Sequence, residues 1–231
     1  MTAMCALVFI GGILIRADIG ASAMKATVAV EKTGGQDGYR GIWKCIEKSA
    51  IFPSAILIVS MTAFSSVNFY VTTYVADIGV GNASLFFAIY AIAEIIIITF
   101  IKKLSDRLPM LNFIIPGAFI GSIGLLILSM ASSAFLVLLS GVIVGVGTGM
   151  ILPITQAEVF RGVSKSRRSM ASSTYFIAFD GGMCLGSLAW GYVVAYAGFN
   201  TMYKCAAAIL AILAVACIFI ALARRKKAAV A

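Results

Sequence analysis

The basic residues of this chain fall at the joints between long apolar segments, and on only one set of those joints. Of the 18 Lys and Arg residues, all except Lys204 lie at alternate joints or in the C-terminal tail. Loops rich in Lys and Arg stay on the cytoplasmic side of a membrane, so the pattern predicts a chain threaded back and forth through a bilayer. We expect a multi-pass protein of the plasma membrane (the cell inner membrane) with a cytoplasmic C-terminus.

Composition supports a lipid environment and disfavours several other classes. Hydrophobic residues make up 61% of the chain and charged residues 12%, whereas soluble domains carry about 25% charged residues. The net charge of +9 is spread over separate joints and the tail, so it is explained by retention of these joints on the cytoplasmic side of the membrane. We therefore expect no nucleic-acid partner. The chain has no His and no CxxC pair. We therefore predict no metal site, no cofactor and no enzyme activity.

Apolar length predicts the spans, since a helix needs about 20 apolar residues to cross a bilayer. Met1 to Ile15 is too short, because it would cover about 22 Å of a core about 30 Å thick. The predicted fold class is an all-α polytopic membrane helix bundle with one partial N-terminal helix and six full spans: Ile51 to Val75, Ser84 to Ile101, Leu111 to Ala131, Phe135 to Val159, Met170 to Tyr196 and Thr201 to Ala223.

The basic residues of each joint indicate on which side of the membrane it lies, and the joints also divide the chain into domains. Ala76 to Ala83 carries Asp77 and no basic residue, so it faces out, as do the tight turns Ser132 to Ala134 and Ala197 to Asn200. Lys102 to Met110, Phe160 to Ser169 and the tail face in. We therefore divide the chain into a partial helix (1–15), a cytoplasmic linker (16–50), a six-helix bundle (51–223) and a basic cytoplasmic tail (224–231).

Three segments carry a family resemblance. Lys102-Lys103-Leu104-Ser105-Asp106-Arg107 is similar to the cytoplasmic GxLaDRxGR signature of the major facilitator superfamily, with Lys102 and Pro109 in place of its glycines. Gly141 to Pro153 resembles the Gly-rich tenth helix of that family, and Tyr175 to Gly186 resembles the eleventh. In order and spacing, residues 45 to 223 resemble the C-terminal half of such a transporter, particularly its bacterial drug-efflux and sugar-efflux-like members.

The resemblance implies a secondary transporter that moves a small-molecule substrate by alternating access, driven by an ion gradient, with protons as the expected ion. It also implies that residues 1–15 are the end of family helix six, and that helices one to five are absent. The opposite cavity wall would then come from a missing N-terminal half, a partner chain or a second copy. The alternative reading is a non-transporting membrane scaffold or assembly subunit.

Two carboxylates lie inside predicted spans. Asp180 lies roughly 16 Å and Glu94 roughly 12 Å from the cytoplasmic ends of their helices. An ionised carboxylate at such depth costs several kcal/mol unless it is paired or faces water. We expect Asp180 or Glu94 to couple proton movement to substrate movement. The structural alternative is a protonated or hydrogen-bonded carboxyl that locks two helices together.

Further polar side chains are candidates for lining a cavity. Tyr90 lies four residues before Glu94, so the two share one helix face. Asn68 lies on a polar stripe with Ser65 and Thr72, with Tyr70 and Tyr74 close by. Gln156, near the inner end of its span, is a third candidate. The alternative for each is an interhelical hydrogen bond that contributes about 1 kcal/mol.

The polar joints and the glycines complete the predictions. By resemblance, Asp106 and Arg107 form a cytoplasmic gate or latch; the alternative is a solvated turn. Glu158 and Arg161 are three residues apart, a spacing that predicts a local ion pair. Glycines spaced by four let helices approach closely, and such pairs or triplets occur at Gly117 and Gly121, at Gly182 and Gly186, and at Gly141, Gly145 and Gly149.

Overall fold

The computed structural model describes residues 50–230, apart from 81, 106–108, 162 and 164–166. For 102–105 and 224–230 the helical backbone is described without the side chains. The predicted partial helix (1–15) and nearly all of the predicted linker (16–50) lie outside the described residues, so both stay predictions.

Five α-helices make up the described chain: α1 Ile51–Asp77, α2 Ala83–Ser105, α3 Leu111–Ser129, α4 Ala134–Phe160 and α5 Arg168–Val230. All five are long and apolar enough to cross a membrane. The N-termini of α2 and α4 are capped by side chains. Asn82 Oδ1 accepts from the backbone N–H of Ser84 at 2.9 Å, and Ser133 Oγ accepts from the N–H of Leu136 at 3.4 Å.

The described residues form five helices where six full spans were predicted, because helical structure continues through the expected outer turn Ala197 to Asn200. The 63 residues of α5 are interrupted only at Gly198, where φ is 78° and ψ is 171°. Glycine adopts a positive φ at little cost, so one residue suffices for the break. The predicted outer turn is therefore present as a kink between two helical arms.

The two arms of α5 run in opposite directions. Before the kink, Gly182 lies against Thr62 and Ser187 against Tyr70, so this arm is parallel to α1. After the kink, Phe199 packs on Tyr74 near the end of α1, whereas Ala221 lines a pocket with Phe52 near its start. The chain therefore reverses at Gly198.

The helix ends gather at two opposite ends of the bundle. At one end, the starts of α1 and α3 meet the end of α4 around a shared pocket. At the other, the Tyr74 hydroxyl near the end of α1 donates to the carbonyl oxygens of Leu128 and Ala131, at 3.0 and 3.3 Å. The sequence next to the first end carries Arg107 and the tail basic residues. This arrangement agrees with the hairpins predicted from charge.

Close backbone approach at glycines holds the helices together. A Cβ placed on Gly147 would lie 2.7 Å from the Cα of Gly121, and one on Gly145 would lie 2.5 Å from the carbonyl oxygen of Tyr90. A Cβ on Gly182 would lie 2.7 Å from the carbonyl oxygen of Ile58. The predicted close faces of α3, α4 and α5 are thus confirmed. In lipid, close packing of this kind stabilises the association of helices, because the burial of apolar side chains contributes little there.

Candidate functional site

Asp180 lies on an exposed face of the first arm of α5. It borders an open groove of about 640 Å³ lined by residues of the same arm: Ser169, Ser172, Ser173, Phe176, Ile177 and Asp180. Within the described residues, the Asp180 carboxylate makes no hydrogen bond or ion pair. A carboxylate within a span must face water, a partner or a ligand, because direct exposure to lipid is costly.

The groove differs from the outward face of α2, which is suited to lipid. That face exposes Ile92, Ile95, Ile96 and Phe100, each more than half accessible. The α5 face also exposes large apolar groups, with Phe176 at 54% and Ile177 at 67%, but it adds a carboxylate and hydroxyls. We interpret α2 as facing lipid and this arm of α5 as facing another environment.

Tyr90 and Glu94 lie where α2 packs on α4. Both are half-buried. The Tyr90 ring stacks on Phe86, with centroids 6.3 Å apart, and a Cβ placed on Gly145 of α4 would lie 2.5 Å from the Tyr90 carbonyl oxygen. The backbone of Glu94 lies against Gly149, whose added Cβ would be 3.0 Å from the Glu94 carbonyl oxygen. This pair therefore belongs to a helix contact, and the shared face predicted from its spacing is present.

The other predicted cavity residues lie elsewhere. Asn68 is exposed, and its Nδ2 donates to the carbonyl oxygen of Phe64 in the same helix at 3.2 Å. Gln156 is exposed near the end of α4. No hydrogen bond or ion pair in the described part of the chain joins Asn68, Gln156, Glu94 and Asp180 to one another. Asp106 and Arg107 lie outside the described residues, and the gate they were predicted to form stays a prediction.

The hydroxyls of Ser65, in the predicted α1 stripe, and of Tyr70, close to it, bond to backbone carbonyl oxygens. Ser65 is buried, and its Oγ donates to the carbonyl oxygen of Thr62 at 2.7 Å. The Tyr70 hydroxyl donates to the carbonyl oxygen of Ser187 at 2.7 Å. Only Asn68 and Thr72 of the predicted polar stripe are exposed.

Sequence reasoning missed a second pocket, at the end of the bundle where α1 and α3 begin. It has a volume of about 300 Å³ and is lined by Phe52, Pro109, Met110, Leu111, Asn112, Glu158, Arg161 and Ala221. The only signal in the sequence was the predicted ion pair, which is confirmed: Arg161 Nη1 lies 3.2 Å from Glu158 Oε2. The remaining lining residues come from three helices and the segment before α3, and they share no local pattern.

Long apolar helices, a kinked hairpin and close glycine contacts define a multi-pass membrane protein. Comparison with protein families gives the narrower assignment. The family described as Major Facilitator Superfamily matches residues 1–187 and, in a second alignment, residues 54–231. The chain belongs to this superfamily. A search of curated proteins returned no match.

Superfamily membership sets the general function. Members of the superfamily are membrane transporters and not enzymes, so the chain is assigned to membrane transport. The groove at Asp180 and the helix contact at Tyr90 and Glu94 must be interpreted within that function.

Proposed function

We propose that the chain forms one wall of a secondary active transporter that moves a small molecule by alternating access, with Asp180 as the proton-coupling carboxylate. The observation that carries the proposal is the exposure of Asp180 on a groove of about 640 Å³ inside a predicted span. A buried carboxylate with partners would have favoured the structural alternative.

The side chains that line the groove suit a water-accessible surface along a transport path. Three serine hydroxyls and one carboxylate can hold water or a polar substrate, while Phe176 and Ile177 supply apolar contact. Ligand sites combine apolar walls with a few well-placed polar groups in this way. Because all six lining residues belong to one helix, the opposite wall must come from elsewhere. We propose a second helix bundle in that place.

Glu94 is the second candidate for proton coupling. Its side chain makes no hydrogen bond within the described residues, and it lies one turn from Tyr90 at the contact of α2 with α4. Movement of α2 against the glycine face of α4 would change the surroundings of this carboxyl. We therefore propose Glu94 as a residue that senses helix movement, and Asp180 as the residue that faces the substrate path.

We further propose an orientation with the basic joints in the cytoplasm of the plasma membrane, and efflux as the direction of transport. The tail residues Arg224 to Lys227 and the joint at Arg161 support this orientation. The resemblance of Asp106 and Arg107 to a cytoplasmic gate motif agrees with it.

The test measures transport in everted membrane vesicles from source cells that carry the gene, lack it or carry Asp180→Asn. Ethidium and radiolabelled lactose serve as probes, because the resemblance includes drug-efflux and sugar-efflux-like proteins. Uptake that requires an imposed pH gradient and is lost in the Asp180→Asn vesicles supports the proposal.

Ser187→Ala is the matched control. Its hydroxyl bonds only within its own helix, to the carbonyl oxygen of Cys184 at 2.9 Å, so uptake should stay within about twofold of the wild type. Equal uptake with and without the gene would favour the scaffold alternative. Gradient-driven uptake that persists in Asp180→Asn would remove Asp180 from the coupling mechanism.

A further inference from the structure

The pocket at the start of α1 and α3 combines charged and apolar walls. Its volume of about 300 Å³ lies at the lower end of the range of ligand pockets, about 300–1,000 Å³. It can therefore hold a compact polar group but not a whole lipid molecule. Phe52 and Ala221 form part of the wall, and Glu158 and Arg161 carry the charge.

The Arg161 guanidinium has capacity for another ligand. Its side chain is 59% exposed, and the ion pair joins its Nη1 to one oxygen of Glu158, whose side chain is 29% exposed. A guanidinium has five N–H donors in a planar fork that suits phosphate. Exposed ion pairs of this kind contribute only about 0.2–1 kcal/mol. A phosphate can therefore compete with Glu158 for the guanidinium.

The surroundings of the pocket favour an anion. Helix α3 begins at Leu111 beside the pocket without a side-chain cap, and the start of a helix carries a partial positive charge. In the sequence, Pro109 closely follows Arg107, and Ala221 closely precedes Arg224 and Arg225. Helix ends in a spanning bundle lie at the level of the lipid headgroups.

We propose that this pocket binds the phosphate group of a phospholipid headgroup, with the Arg161 guanidinium as its main donor. The glycerol and upper acyl carbons then lie along Phe52 and Ala221. A soluble phosphate monoester offers the same oxygens without the acyl chains, and the experiment separates the two sources. The site is distinct from the Asp180 groove and does not depend on which substrate is transported.

The experiment follows binding to the purified full chain in detergent by native mass spectrometry. The probes are dioleoyl phosphatidylglycerol, dioleoylglycerol with the same chains and no phosphate, and glycerol 3-phosphate with no chains. We expect phosphatidylglycerol to bind about tenfold or more tightly than dioleoylglycerol. Arg161→Gln should remove that preference. Glu158→Gln should tighten binding a few-fold, because it releases the guanidinium from its competing carboxylate.

Two further variants separate binding from general effects. Ala221→Phe should block the pocket while Arg161 is retained. Arg168→Gln, an exposed arginine that does not line the pocket, should leave binding within about twofold of the wild type. Tight binding of glycerol 3-phosphate that depends on Arg161 would support the phosphate site and assign its ligand to a soluble phosphate. Equal effects of Arg161→Gln and Arg168→Gln, or equal binding of the two lipids, would overturn the proposal.

Discussion

Tyr74 and Tyr203 meet edge to face, with ring centroids 5.1 Å apart, but only one of their two hydroxyls is hydrogen-bonded. The Tyr74 hydroxyl donates to the carbonyl oxygen of Leu128. The Tyr203 hydroxyl is buried and has no hydrogen-bond partner among the described residues. Two neighbouring phenols, one paired and one unpaired, therefore offer a matched test of how polar groups contribute inside the bundle.

Tyr74→Phe should lower the free energy of unfolding by about 1 kcal/mol, because it removes the only side-chain donor that ties α1 to the end of α3 in the described residues. Tyr203→Phe should leave it unchanged or raise it by up to about 1 kcal/mol, since an unpaired buried hydroxyl is removed. Unfolding in mixed micelles followed by far-UV circular dichroism measures both. A larger loss in Tyr203→Phe than in Tyr74→Phe would contradict the assignment.

Gly147→Ala should lower the free energy of unfolding by about 1–3 kcal/mol, because the added Cβ meets backbone atoms of Gly121. Gly181→Ala is its control in another helix. A Cβ at Gly181 meets nothing within 4 Å, so this change should be neutral or stabilise by up to about 1 kcal/mol through helix propensity. The same unfolding measurement applies, and equal effects of the two changes would show that α3 and α4 do not approach as described.

The sequence predicted best where a physical rule acts locally. Spacing by four along one helix predicted the close faces at Gly145 and Gly182, and spacing by three predicted the ion pair of Glu158 with Arg161. These features depend on helix geometry alone. Apolar length likewise located α1 to α4 to within a few residues.

The sequence predicted less well where the contact with a neighbouring helix decides the structure. The outer turn predicted at Ala197 to Asn200 is where the chain reverses, but the backbone stays helical on both sides of Gly198 instead of forming two separate helices. Tyr70 was grouped with a polar stripe, but its hydroxyl bonds to Ser187, 117 residues away. The pocket at Arg161 combines residues from four helices, and periodicity along one helix cannot show which neighbour a side chain meets.

Trp190→Phe should weaken the contact between the first arm of α5 and α1 by removing one hydrogen bond. The indole Nε1 donates to the carbonyl oxygen of Thr62 at 2.6 Å, and the Thr62 hydroxyl lies 3.2 Å from the carbonyl oxygen of Gly182. We expect a loss of about 1 kcal/mol in the free energy of unfolding. Tyr192→Phe, an exposed aromatic on the same arm, should change it by less than about 0.5 kcal/mol. Equal losses would show that the indole donor has no particular role.

Asp180→Asn should leave stability unchanged within about 0.5 kcal/mol, because the carboxylate makes no hydrogen bond or ion pair with the described residues that would be lost. Asp77→Asn, at the exposed end of α1, provides the baseline for an exposed aspartate. Thermal unfolding of both variants in detergent measures this. A loss above about 1 kcal/mol at Asp180 alone would favour the alternative in which this carboxyl locks two helices together.

Membrane orientation can be tested with two exposed positions at opposite ends of the bundle. Asn112 lies at the start of α3 beside the pocket, and Ser132 lies in the turn between α3 and α4. In a chain whose five cysteines are replaced by serine, Ser132→Cys should react with an impermeant maleimide on intact cells. Asn112→Cys should react only after the cells are permeabilised, because the basic joints retain its end in the cytoplasm. The reverse labelling pattern would contradict the proposed orientation, with the basic joints in the cytoplasm.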